Sequence, residues 1–224
     1  PQATRKTIAG ITLTGVSFDT RSHRLAVVDQ TDGPGSRFPN ASAAGRSRGA
    51  LAAINGGFFT PEGKPLGLVV TNGRSAGAWN NSSSLGSAVW HESKSGRSAI
   101  SRRNAIGKAG TLASREALQA GPLVVESGAP VSGLSTKKSA ARTLILWDGS
   151  TRWWIGHSSP ATLRQLGSAL SDHSPTGWPV KHALNLDGGL SSDLWISDKV
   201  TGGAITIRPF WNRSVRNFLV LLPR

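Results

Sequence analysis

Thr143-Leu144-Ile145-Leu146-Trp147-Asp148-Gly149-Ser150-Thr151-Arg152-Trp153-Trp154-Ile155 is the stretch that decides the fold class. Two short apolar runs, Thr143 to Trp147 and Arg152 to Ile155, flank Asp148-Gly149-Ser150. Asp-Gly suits the positive φ angles of a tight turn, so the segment predicts an antiparallel hairpin. Successive strand residues point to opposite faces, so Trp153 or Trp154 must turn inward.

Short strand-like runs dominate on either side of this hairpin. Ile11, Leu13 and Val16 alternate with Thr and Ser, and Leu25 to Val28 follows after a loop at Asp19 to His23 that reads as a second hairpin. Asp32 to Gly45 is a Gly-, Pro- and Ser-rich loop ending in a short helix. Strands are expected at Leu51 to Ile54, Leu66 to Val70, Leu123 to Val125, Ala183 to Leu186, Ala204 to Ile207 and Asn217 to Leu222. Residues 75 to 110 are polar, with strand-like pieces near Val89 and Ala99. One clear helix is expected after Ser159, with Ser159 as cap and Leu163, Leu166 and Leu170 on one face. The reading is α+β: a single domain over 1–224 with a mixed, mostly antiparallel sheet core and a few flanking helices.

Composition closes several routes. Of 224 residues none is Cys, which removes disulfides, thiolate zinc sites, iron–sulfur clusters and a cysteine nucleophile. Phe218 to Leu222 is the longest apolar run, far short of the roughly 18 residues of a membrane-spanning helix, so no transmembrane segment is expected. The chain opens on Pro1 and contains no Met, so an upstream segment such as a signal peptide is expected, with a periplasmic or secreted location. Twenty-six Lys and Arg against 12 Asp and Glu give a net charge of +14. That charge favours nucleic acid, anionic lipid, anionic polysaccharide or phosphate-bearing substrates, and it is spread along the chain rather than gathered in a tail.

Familiar catalytic signatures are missing: no Walker loop, no G-x-G-x-x-G and no H-E-x-x-H. Gly189-Leu190-Ser191-Ser192-Asp193 starts like a nucleophile elbow but lacks its closing Gly. The five His show no metal-ligand spacing, so neither metal nor cofactor is expected. What remains is a polar residue beside each of several strands. Asn55 follows Leu51 to Ile54, Asp187 follows Ala183 to Leu186, and Arg142 precedes Leu144 to Leu146. Gly-lined strand ends let a backbone approach a ligand closely.

Taken in order, five segments resemble the successive blocks of the phosphodiester glycosidase family. They are Ala53-Ile54-Asn55-Gly56-Gly57-Phe58-Phe59, then Gly67-Leu68-Val69-Val70 with Gly73, then Ala120-Gly121-Pro122-Leu123-Val124, then Ala141-Arg142-Thr143, then Ala183-Leu184-Asn185-Leu186-Asp187-Gly188-Gly189 with Ser191-Ser192. The closing Val215 to Val220 resembles the bacterial branch. The resemblance covers residues 51–224, while residues 1–50 contribute strands and a loop. One departure is that the family usually has a Gly soon after the Arg-Thr pair, where this chain has Leu144-Ile145-Leu146.

The resemblance implies hydrolysis of a sugar-1-phosphodiester on its glycosidic side, with a phosphomonoester as leaving group. Such a reaction needs a cation for the phosphate and a carboxylate at the sugar. Asp187, Arg142 and Asn55 are the expected catalytic residues: carboxylate, phosphate clamp, and orienter of a sugar hydroxyl or water. Gly57, Gln119, Thr143, Gly188, Gly189, Ser191 and Ser192 are expected to bind substrate, with Gly188 and Gly189 offering N–H groups to an anion. Glu62 and Asp193 are candidates for a second carboxylate. The partner is expected to be a phosphate-bearing glycan or sugar phosphodiester of the cell envelope. Two alternatives stand beside it: a non-catalytic module binding an anionic envelope polymer, and, weakest, a nucleic-acid binder using Trp153, Trp154 and Trp211 as stacking platforms.

Overall fold

The computed structural model describes residues 1–224. In chain order the first half comprises β1 (Gln2–Ile8), β2 (Ile11–Asp19), β3 (His23–Asp29), α1 (Ala41–Ser47), β4 (Ala52–Asn55), β5 (Val69–Thr71), β6 (Arg74–Ala76), β7 (Ala88–Glu92), β8 (Ser98–Arg102) and α2 (Arg103–Leu112). The second half comprises β9 (Glu116–Ala120), β10 (Leu123–Glu126), β11 (Ala129–Pro130), β12 (Ala140–Trp147), β13 (Arg152–Ala161), α3 (Leu163–Asp172), β14 (His182–Asn185), β15 (Leu194–Ile196), β16 (Ile205–Ile207) and β17 (Asn217–Pro223).

Three sheets share one core. Their strand orders are β1-β2-β13-β12-β14-β10-β11, β16-β15-β4-β17-β3 and β6-β5-β9-β7-β8. Every pairing between these strands is antiparallel, as the α+β reading expects. Alternation explains how one chain serves two faces of each sheet. On β12 and β13, Ile145, Trp153 and Ile155 point into the central core, which they share with Val27, Trp90, Leu118 and Leu219 from the other two sheets. Leu144, Leu146 and Trp154 point the other way, onto Leu166, Ala169 and Leu170 of α3. The second sheet is backed by α1 through Ala41 and Ala44, and the third by α2 through Ile106. Trp153 and Trp154 are therefore both fully buried, on opposite faces, and neither is a stacking platform.

The Thr143 to Ile155 hairpin forms as read, with Trp147 opposite Trp153. The expected hairpin at Asp19 to His23 does not. β2 is already paired on both edges, by β1 and β13, so β3 crosses to the second sheet and pairs with β17. Arg142 does not precede its strand but lies inside β12. The helix begins later than expected. Ser159 is still in β13, where its Oγ accepts the Thr12 N–H (2.9 Å), and Thr162 caps α3 in a reciprocal capping box with Gln165.

Candidate active site

The site forms where β4, β12 and β14 lie close together. The turn after β14, Leu186 to Gly189, is pinned from both flanks. Leu186 N–H donates to the Thr143 carbonyl (2.8 Å), and Asp187 N–H donates to the Gly56 carbonyl (3.2 Å). Gly188 passes so close to β12 that a Cβ would lie 2.6 Å from the Ala141 carbonyl oxygen. Gly189 follows with φ +61°, a left-handed turn that suits glycine. These two glycines let the chain bend at Asp187 and leave its carboxylate at the bottom of a cleft.

That cleft has a volume of about 270 Å³ and is lined by Asp187, Arg142, Lys138, Arg213 and Ser191, with Phe58, Ala140, Leu190, Gly188 and Gly189. Asp187 is its one carboxylate and is only 8% exposed. Burial pushes its pKa up, against the Ser191 hydroxyl, the Gly188 N–H (2.9 Å) and the positive charges of Arg213 and Lys138. Arg142 spends Nη2 on the Lys138 carbonyl (2.9 Å) and Nε on the Ala161 carbonyl (3.4 Å), so its planar head is held at the cleft wall. Arg213 donates Nε to Ser191 Oγ (3.2 Å) and lies over the Phe59 ring (4.9 Å to its centroid).

Five of the residues singled out in the sequence therefore meet in this cleft: Asp187, Arg142, Gly188, Gly189 and Ser191. The others lie beneath or away from it. Asn55 is fully buried and its amide is committed: Nδ2 donates to the Asp187 carbonyl (2.8 Å), and Oδ1 accepts from Thr143 Oγ1 (2.6 Å) and Asp193 N (3.0 Å). Asn55 and Thr143 thus act on the site by fixing the backbone of Asp187, not by reaching into the cleft. Gly57 donates its N–H to Asn217 Oδ1 (2.8 Å) and sits against Leu118. Gln119 uses its whole amide on Leu68, Asn80 and Gly86, fastening β9 to the loops beside it. Ser192 is buried, with an Oγ that has no partner.

Neither candidate for a second carboxylate lines the cleft. Asp193 is buried, accepting the Ala41 N–H (2.9 Å) at the start of α1 and lying 3.7 Å from Arg208. Glu62 is exposed on the turn between Phe59 and Pro65. Lys138 and Arg213 are the charged cleft residues that sequence reasoning missed, beside the apolar Phe58, Ala140 and Leu190. Each sits in a segment with no strand pattern, and only the excess of basic residues hinted at them.

The fold has relatives. The catalytic domain of zebrafish N-acetylglucosamine-1-phosphodiester alpha-N-acetylglucosaminidase, auto-inhibited by its pro-peptide, superposes with a TM-score of 0.67 at 17% identity, covering 95% of this chain and 78% of that one. A hypothetical protein from Synechocystis gives 0.65 at 18% identity, covering 99% of this chain and 61% of that one. A candidate exported protein from Burkholderia pseudomallei gives 0.62 at 14% identity, covering 95% and 74%. Among curated proteins none matches the chain. At these identities the likeness establishes a shared fold. The sequence itself goes further, because residues 48–222 match the phosphodiester glycosidase family model, and the chain belongs to that family.

Proposed function

We propose that the protein hydrolyses a sugar-1-phosphodiester of a cell-envelope or extracellular glycan, breaking the bond between the anomeric carbon and oxygen. The observation that carries this reading is one desolvated carboxylate facing three cationic side chains in one cleft. Arg142, Arg213 and Lys138 bind the phosphodiester anion and stabilise the charge that builds on it as the C–O bond breaks. The leaving group departs as a phosphomonoester whose second ionisation lies near pH ~6, so it needs no strong general acid. A cleft with a single carboxylate suits such a leaving group. Asp187 in its ionised form accepts the proton of the attacking water and balances positive charge at the anomeric carbon. The water oxygen ends on the sugar, and every oxygen of the phosphate is retained. Asn55 holds the Asp187 backbone, which positions the carboxylate.

Hydrolysis in ¹⁸O-enriched water tests this. Attack at carbon leaves the released phosphomonoester without label, read by the ³¹P isotope shift, and Asp187→Asn slows release by about 10²–10⁴. Label in the phosphate would identify attack at phosphorus and sink the reading. Binding of an envelope polymer with no turnover would leave the non-catalytic alternative.

A further inference from the structure

Four large apolar side chains are exposed on this protein: Leu112, Leu190, Phe210 and Trp211. The last three belong to the cleft wall and the turn beside it. Leu190 (54% exposed) is part of the wall, and its carbonyl accepts the Arg213 N–H (3.1 Å). Arg213 directly follows the turn Pro209-Phe210-Trp211-Asn212, closed by the Asn212 N–H on the Pro209 carbonyl (3.0 Å). Phe210 is 90% exposed and Trp211 77%, with their rings packed edge to face at 4.9 Å.

The turn is fastened at its base while its tip is bare. Asn212 Nδ2 donates to the Ser192 carbonyl (3.0 Å), Arg208 donates to Asn212 Oδ1 (2.8 Å) and to the Pro39 carbonyl (3.0 Å), and Arg213 is tied to Ser191. A base held by these four side-chain hydrogen bonds keeps two aromatic rings in water. Exposed apolar side chains grouped in this way mark a surface that meets a partner.

We propose that the Phe210–Trp211 turn is an interfacial wedge that seats the protein on an anionic lipid bilayer. The rings stand bare at the tip of a turn, which suits insertion at headgroup depth. Trp211 favours that depth because its indole is apolar apart from one N–H that can stay in water, and Phe210 adds apolar area to insert. Arg208 and Arg213 flank the pair, Lys138 lines the same cleft as Arg213, and the whole chain carries +14. Basic residues beside an apolar wedge draw it to anionic headgroups, and charge or wedge alone anchors weakly. The proposal stands independently of the hydrolytic reading.

Co-sedimentation of the whole chain with phosphatidylcholine vesicles, with and without phosphatidylglycerol, provides the test. Wild type is expected to pellet only with vesicles containing phosphatidylglycerol, and less as salt is raised. Replacing both residues, Phe210→Ser with Trp211→Ser, is expected to weaken that binding by about tenfold or more, with an unchanged melting temperature because both rings are exposed. Wild type failing to bind the anionic vesicles, or the double variant binding them as tightly, overturns the proposal. So does unaltered vesicle binding combined with a raised KM for a soluble sugar phosphodiester, which would make the pair a sugar platform.

Discussion

Two pockets in this protein look alike on paper. Each holds a buried carboxylate whose pKa burial pushes upward, and each is ringed by basic side chains. One is the cleft of Asp187. The other, about 200 Å³, has Glu116 beside Arg24, Arg48 and Arg115 over an apolar floor of Ala26, Val28, Val220 and Leu222. The difference lies in what the carboxylate oxygens do. Glu116 accepts the Val27 N–H from β3 (2.9 Å) and the Asn72 N–H just after β5 (3.1 Å), so it clasps the edge of the second sheet to the third. Asp187 accepts locally, from its neighbour Gly188 and from Ser191, and spans no gap between elements. Desolvation and basic neighbours mark a special carboxylate, and its hydrogen-bond partners decide whether it is a fastener or a reagent.

The sharpest way to break that contrast is to remove each carboxylate in turn. Asp187→Asn should lower kcat/KM by about 10²–10⁴ with the fold intact, since it removes a proton acceptor and a charge but can still receive the Gly188 N–H. Glu116→Ala should do the reverse. It leaves two backbone N–H groups without their acceptor and should cost about 2–4 kcal/mol of stability in denaturant titration, while activity per folded molecule is kept. Loss of activity from folded Glu116→Ala, or unfolding in Asp187→Asn, would erase the distinction.

The arginines sharpen it further. Arg213→Gln is expected to reduce kcat/KM by about 10–100-fold, the scale of one hydrogen bond to a charged group, with little loss of stability because the residue is exposed. Arg24→Gln in the other pocket should leave turnover unchanged. Steady-state kinetics on a sugar-1-phosphodiester checks both.

How much of this is legible in the sequence follows from where the information resides. The hairpin at Asp148-Gly149, the strand at Ala183 to Leu186 and the bend at Gly188-Gly189 are local events written in neighbouring residues, and they form as read. β9 escapes because its alternation places buried polar residues, Glu116 and Gln119, where a strand pattern calls for apolar ones. α2 escapes because Gly107, at φ +67°, interrupts a Gly-rich helix of weak periodicity. At the site, sequence order marks the carboxylate and Arg142 but not Arg213 or Lys138, which reach the cleft from segments outside the sheets. Asn55 is legible as a place but not as a task. Its position beside Asp187 is a consequence of strand order, whereas the commitment of its amide to Asp187, Thr143 and Asp193 is a tertiary fact no spacing reveals.

The smallest effect is the one that separates the pockets by titration. In both carboxyls the folded pKa lies above the unfolded one, so between those values the folded state holds more protons than the unfolded chain. Stability therefore falls as pH rises through each window and levels off above the raised pKa. Asp187→Asn deletes that loss: it should match wild type at pH below the ordinary aspartate value and be the more stable protein at neutral pH, by about 2–4 °C in melting temperature for each kcal/mol relieved. On the proposed mechanism the same proton also controls turnover at Asp187, so the acid limb of kcat/KM should fall as pH drops through the midpoint at which the stability difference develops. Glu116 should leave its mark in the stability curve alone, because the proton it gains relieves a buried charge between the sheets and touches no substrate. An acid limb in kcat/KM that shifts in Glu116→Gln, and not with changes around Asp187, would reverse the assignment of reagent and fastener.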